Sequence, residues 1–134
     1  MYFMSENLKR ISRDPQQVSA LLSMVFRLME KWQLDTRQQA TLLGVRSTST
    51  IYRWKNHGAK RLREETLVRI AHLLAIHKLL RLLFPRNPEL REAWVRARNK
   101  ADRFGGKRPI DIMLRGEIAD LLLARSYLED AAAG

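Results

Sequence analysis

The sequence predicts an all-α protein made of two helical domains, and three observations carry that prediction. Apolar residues recur at intervals of three and four through most of the chain. No stretch of useful length alternates apolar and polar residues as a half-buried strand would. Between the periodic segments fall helix punctuation marks: Asp or Asn before Pro at the openings, and Gly after an apolar run at the closings. Of the 134 residues, 46% are hydrophobic and 29% charged, so the chain can bury a core and is not compositionally disordered.

Residues 1–13 lack sustained periodicity and read as a flexible arm, with Met4 a second candidate start. The first domain is expected over residues 14–84. Asp14-Pro15 opens a helix, because Asp accepts from free backbone N–H groups and Pro is tolerated where its missing N–H costs nothing. From Val18 onward, Leu21, Leu22, Val25, Phe26, Leu28, Met29 and Trp32 keep helical spacing. Asp35 or Thr36 starts a short helix to Leu43, closed by Gly44, and Ser47 or Thr48 starts another to about Asn56, closed by His57-Gly58. Glu64-Glu65-Thr66 then opens an apolar segment to Phe84, with a bend expected near Ala75. Arg69, His72, His77, Lys78 and Arg81 interrupt it too often for a membrane span, and Pro85 ends it.

The second domain is expected over residues 85–134. Asn87-Pro88 repeats the cap-then-proline opening and starts a helix to about Asn99. Residues 103–108 read as a loop, and Pro109 opens a helix with Asp111 in its first turn, favourable for the helix dipole. A last amphipathic helix runs from about Glu117 to Leu128, with Ile118, Leu121, Leu122 and Leu128 on one side, followed by a free, alanine-rich tail. Ile110, Ile112, Met113, Ile118, Leu121 and Leu122 read as core, and Tyr127 as core edge or interface anchor.

Charge narrows the class of partner. Lys and Arg number 25 against 14 Asp and Glu, a formal net charge of +11, which favours polyanions and nucleic acid above all. Residues 1–60 carry ten basic and four acidic side chains, residues 61–85 five and two, and residues 86–134 ten and eight. The excess therefore sits in the first two thirds, and the nearly balanced remainder suits a protein partner better. There are no cysteines, which excludes disulfide scaffolds, thiolate metal sites and thiol nucleophiles. The N-terminus carries no apolar stretch long enough for a signal peptide, so a cytoplasmic protein is expected.

No catalytic constellation is legible. His72 and His77 are five residues apart and fall on different helix faces, while helical metal ligands need three or four. Gly105-Gly106-Lys107 lacks the spacing and the preceding strand of a phosphate loop. Asp111, Glu117 and Asp120 form no paired acid and base. The reading is a non-enzyme with no cofactor, no metal, no membrane partner and no small-molecule substrate of its own.

Residues 36–55 hold the most specific local pattern. Ala40 allows close helix approach, Gly44 tolerates positive φ in the turn, and Ile51 and Trp54 pin the following helix to the core. Ser47, Thr48, Ser49, Thr50, Tyr52, Arg53, Lys55 and Asn56 are left on its other faces. Short hydroxyl residues at a helix N-terminus suit phosphates and base edges, and Arg53 and Asn56 are equipped for bidentate contacts to guanine and adenine. Lys55, Lys60, Arg61 and Arg63 read as phosphate contacts.

Two groups of residues together resemble a known family. Leu42-Leu43-Gly44, Ser47-Thr48, Tyr52-Arg53-Trp54-Lys55, Arg69-Ile70 and the run from Leu79 to Pro85 resemble the helix-turn-helix of Xre-like antitoxins. Asn87-Pro88-Glu89-Leu90, Phe104-Gly105-Gly106, Arg108-Pro109-Ile110-Asp111-Ile112-Met113, Gly116 and Arg125-Ser126-Tyr127-Leu128 are similar to the associated toxin-binding domain. Arg108 stands where a small hydroxyl residue is often found before the proline. The resemblance, to the Xre/MbcA/ParS antitoxin family, implies an antitoxin of a type II toxin–antitoxin system. Its partner would be a RES-domain toxin that consumes or uses NAD⁺, neutralised by a C-terminal domain that covers the active-site entrance. The N-terminal domain would bind operator DNA and autoregulate the operon as a homodimer within a larger toxin–antitoxin complex. Toxin contacts would then fall on Arg108, Asp111, Arg115, Arg125, Tyr127 and a tail from Asp130 to Gly134. Two other readings compete: a helix-turn-helix repressor with a C-terminal dimerisation or effector domain and no toxin, and a scaffold or membrane-surface protein using its basic face.

Overall fold

The computed structural model describes residues 5–134 as eight α-helices: α1 (Glu6–Ser12), α2 (Pro15–Lys31), α3 (Thr36–Leu43), α4 (Thr48–His57), α5 (Glu64–Leu83), α6 (Pro88–Arg96), α7 (Pro109–Met113) and α8 (Ile118–Ala133). No strand occurs among the described residues, in keeping with the all-α expectation. The chain divides into two compact units between Ala71 and His72, inside α5. Among the described residues, no helix is long and apolar enough to cross a membrane.

The part of the expected arm that falls on residues 1–4 lies outside the described residues. Residues 6–12 depart from the expectation of an arm without helical order. Ser5 Oγ accepts from the Leu8 N–H at 3.1 Å and Lys9 pairs with Glu6 at 3.4 Å. These local polar contacts form α1 while it buries no residue, so no apolar period announced it.

In the N-terminal unit, α2 starts where Asp14 and Pro15 place it: Asp14 Oδ1 accepts from the N–H groups of Gln16 at 3.0 Å and Gln17 at 3.4 Å. Val18, Leu22, Val25 and Met29 form its buried stripe, each contributing about 1.5–3 kcal/mol by leaving water. Asp35 and Gln38 close a capping box at the start of α3, and Gly44, at φ 73°, ends that helix. Ser47 caps α4 by accepting from the Ser49 N–H at 3.2 Å. Gly58, at φ 69°, ends it, a left-handed conformation that glycine adopts without the strain of a Cβ. Ile51 is fully buried and holds α4 down, whereas Trp54, expected to share that task, is only half-buried.

In the C-terminal unit, Leu73, Ile76 and Leu80 are buried along α5, which runs on without interruption through Ala75. Asn87 caps α6 by accepting from the Leu90 N–H at 3.2 Å. The helix stops at Arg96 rather than near Asn99. There the backbone of Asn99 pairs instead across the loop: its N–H donates to the Lys107 carbonyl at 3.0 Å and its carbonyl accepts from Gly106 at 2.9 Å. This closed loop inserts Phe104 into the core at 2% exposure.

α8 continues through Ala133, so the tail expected to be free is its last turn. Alanine is the best helix former, and Arg103 holds Asp130 in place. The buried stripe of α8 is Leu121, Ala124 and Leu128. Leu122, read as core, is 46% exposed, because it sits one residue round the helix from Leu121. Ile118, also read as core, is half-buried.

Candidate functional site

Two surfaces carry the residues singled out from the sequence, one in each unit. On α4, Ser47, Thr48, Ser49, Tyr52, Arg53 and Asn56 are exposed and Thr50 is half-buried. Ser47 Oγ also lies 2.5 Å from Ser49 Oγ, so these two hydroxyls are organised at the helix start. Tyr52 is 56% exposed, and its hydroxyl accepts from Thr36 Oγ1 at 3.4 Å, tying α4 to the first turn of α3. Beyond Gly58, Lys60, Arg61 and Arg63 stand exposed in the connection to α5. Arg53, Lys60 and Arg61 have no ion-pair partner among the described residues. Outward cations of this kind are what a phosphate backbone displaces counterions to meet.

Lys55 differs from its neighbours. Its Nζ lies 3.0 Å from Glu30 Oε1 and 5.3 Å from the centroid of the Phe26 ring, both on α2. The bond from Lys55, then one from Gln39 Nε2 at 3.3 Å, holds the Glu30 carboxyl below the usual carboxylate range. Gln39 is itself buried and donates to the Leu34 carbonyl at 2.9 Å. The side chain read as a phosphate contact is thus already engaged in joining α4 to α2.

The C-terminal candidates are paired within their own unit. Arg108 takes the N-cap position of α7 with no capping hydrogen bond. Instead its Nε and Nη2 donate to the two oxygens of Asp111, each at 2.7 Å. That fork holds the Asp111 carboxyl below its ordinary range and raises the Arg108 guanidinium. Arg115 pairs with Asp120 at 3.1 Å, and Asp120 also accepts from the Glu117 N–H at 3.3 Å to start α8. Arg125 sits 3.6 Å from Glu129 and places Nη1 3.1 Å from His72 Nδ1. An arginine only donates, so Nδ1 accepts and the ring proton is on Nε2.

Tyr127 is half-buried in an aromatic cluster. It stacks on Trp94 at 6.1 Å and 21°, and meets Phe104 edge-on at 5.1 Å and 79°. The Arg103 guanidinium lies 5.9 Å from the Tyr127 centroid and pairs with Asp130. Arg103 therefore brings the candidates Tyr127 and Asp130 together, while Arg115 and Arg125 pair with residues not singled out. Gly134 is exposed at the end of α8.

Sequence reasoning missed three residues that shape these surfaces: Glu30, Arg103 and Arg69. The signal for Arg69 was present, a cation inside an apolar run, and it is 95% buried. Glu30 and Arg103 left no local trace, since their partners are distant in the chain.

An all-helical chain with a capped helix-turn-helix in its first unit and a second helical unit of internally paired charges is a helix-turn-helix protein with an appended helical domain. Residues 10–75 match the antitoxin Xre-like helix-turn-helix domain, and residues 79–134 match the antitoxin Xre/MbcA/ParS C-terminal toxin-binding domain. The chain belongs to the Xre/MbcA/ParS antitoxin family, as its motifs led us to expect. It is also similar to the uncharacterized protein y4oB of Sinorhizobium fredii (strain NBRC 101917 / NGR234), with 37% identity over 123 residues, 92% of each chain. Membership brings a DNA-binding module and a toxin-binding module together on one chain.

Proposed function

We propose that this protein is the antitoxin of a type II toxin–antitoxin system, that its partner is a RES-domain toxin, and that it autoregulates its operon by binding operator DNA as a homodimer within a larger toxin–antitoxin complex. The observation that carries the reading is the match of the two compact units to two different antitoxin domains. The choice of a RES-domain partner rests on the pairing implied by the family.

For DNA, α4 supplies Arg53 and Asn56 for base edges, with Ser47, Thr48, Ser49, Thr50 and Tyr52 around them, and Lys60 and Arg61 for phosphates. A good bidentate base contact is worth about 1–3 kcal/mol of discrimination. Lys55 acts from beneath, through Glu30, to hold the helix. For the toxin, the pairs Arg108–Asp111, Arg115–Asp120 and Arg125–Glu129, the Tyr127 cluster, Asp130 and Gly134 offer an ordered, nearly neutral surface that covers the active-site entrance. Charges that are already oriented lose little side-chain freedom on docking. The protein acts by binding rather than by chemistry, so no cofactor is required.

The test is co-expression and co-purification with the product of the neighbouring gene. A RES-domain protein that co-purifies, and whose growth arrest is relieved by this chain, supports the proposal. A neighbour that neither binds nor arrests growth removes the toxin half of it, while DNA binding is scored separately by operator titration.

A further inference from the structure

The end of α3 shows how the recognition helix is held. Four carbonyls at a helix C-terminus lack partners within the helix, and a buried helix end must find them elsewhere. At α3 all four are met. The Val45 N–H reaches the Ala40 carbonyl at 3.0 Å and the Gly44 N–H reaches Thr41 at 3.2 Å, the paired bonds of a Schellman turn. The remaining two are met from α5: Thr66 Oγ1 donates to the Leu43 carbonyl at 3.0 Å, and Arg69 Nη1 lies 3.4 Å from both Leu42 and Thr41 carbonyls.

Arg69 is fixed from its other side. Its Nε and Nη2 donate to Glu65 Oε1 at 3.3 and 3.0 Å, and its side chain is 6% exposed. The guanidinium places a full positive charge at the negative end of the α3 dipole. It also lies against Gly44, where an added methyl group would stand 2.7 Å from Arg69 Nε. Gly44 is thus needed twice, for its φ of 73° and for the space the guanidinium fills. The chain leaves this turn directly into Ser47, the cap of α4.

We infer that Arg69 and Thr66 are positioning residues for DNA recognition: they lock the turn after α3 and so set where α4 presents Arg53 and Asn56, without touching DNA. The inference rests on the reading of α4 as the DNA-contacting helix. A fault in this clamp shifts base-reading side chains, which need accurate placement, far more than phosphate contacts, which tolerate displacement.

The experiment uses the full-length chain. It first selects a duplex from a random-sequence pool, and that duplex and a scrambled duplex of the same composition are then titrated at one salt concentration. Arg69→Met is expected to weaken binding to the selected duplex on the order of tenfold, with the scrambled duplex changed less than about threefold. Arg69→Lys keeps the charge but not the planar fork and should fall between. Thr66→Val, nearly isosteric, should lose several-fold on the selected duplex alone. Equal losses on both duplexes, or no loss on the selected one, overturn the inference. If Arg69→Met melts below the assay temperature, Thr66→Val and Arg69→Lys decide by the same criterion. A pool from which the unsubstituted chain enriches nothing overturns the DNA reading itself, and the clamp's part in recognition with it.

Discussion

Around α4, Arg53, Lys60 and Arg61 stand exposed with no ion-pair partner among the described residues, whereas in the C-terminal unit Arg103, Arg108, Arg115 and Arg125 each hold a carboxylate. The difference matches what each kind of partner demands. A phosphate backbone rewards unpaired cations, because each one that meets it releases a counterion. A protein surface gains specificity from charges fixed in register, and unpaired ones would be costly to desolvate. One net charge thus has two uses: uncommitted cations beside the recognition helix, and arginines fixed on carboxylates around the C-terminal candidates.

The largest expected effect tests the second unit. Tyr127→Ala removes the ring between Trp94 and Phe104 and should destabilise that unit by roughly 2–4 kcal/mol. Melting curves check this, and toxin neutralisation should fail while DNA binding by the full chain persists. Loss of both activities together would erase the separation between the units.

Arg53→Ala tests the first unit. Operator affinity should fall by about 1–3 kcal/mol, with relaxed preference at one position and toxin neutralisation intact. Unchanged affinity in a gel-shift titration would remove α4 from the interface.

A smaller change sharpens the comparison at the residue that crosses it. Lys55 is a cation of the first unit that is paired in the manner of the second. With Lys55 as a support for α4, Glu30→Gln should weaken operator binding by about two- to fivefold, the scale of a surface ion pair, and leave the salt dependence unchanged. With Lys55 as a phosphate contact, the same change frees it and strengthens binding. The sign of the effect decides.

The smallest effect is a pH dependence confined to the second unit. Burial first, and then the nearby Arg125, hold the His72 pKa below the ordinary histidine range, with Glu129 opposing them. The unfolded chain therefore binds more protons than the folded one as pH drops through the ordinary histidine range, near 6.5. Stability is full above that range and declines below it, and His72→Gln should flatten the decline in acid melts. An identical decline in the variant would assign it to other groups.

The punctuation of this chain was legible because caps and turns are local. Asp14, Asp35, Ser47 and Asn87 cap helices through N–H groups two or three residues away, and Gly44 and Gly58 end helices through their own φ. Two of the misplaced helix ends share one cause, pairing with groups outside the helix. α6 ended early because Asn99 pairs with Lys107 and Gly106, and α8 kept its last turn where Arg103 holds Asp130, 27 residues away. α1 escaped notice for the opposite reason, since it buries nothing and leaves no apolar period.

By itself, then, the sequence determined the helical class, most helix boundaries, the family, and which third of the chain is nearly neutral, because these depend on residue types and on interactions within a turn or two. Tertiary structure decided which charges are available and which are spent. The engagement of Lys55 by Glu30, 25 residues back, and the capping of α3 by Arg69, 27 residues on from Leu42, exist only once the chain has brought distant polar groups together. At the end of α3, burial then requires the carbonyls and the guanidinium to be satisfied, and that requirement cannot be read from either partner alone.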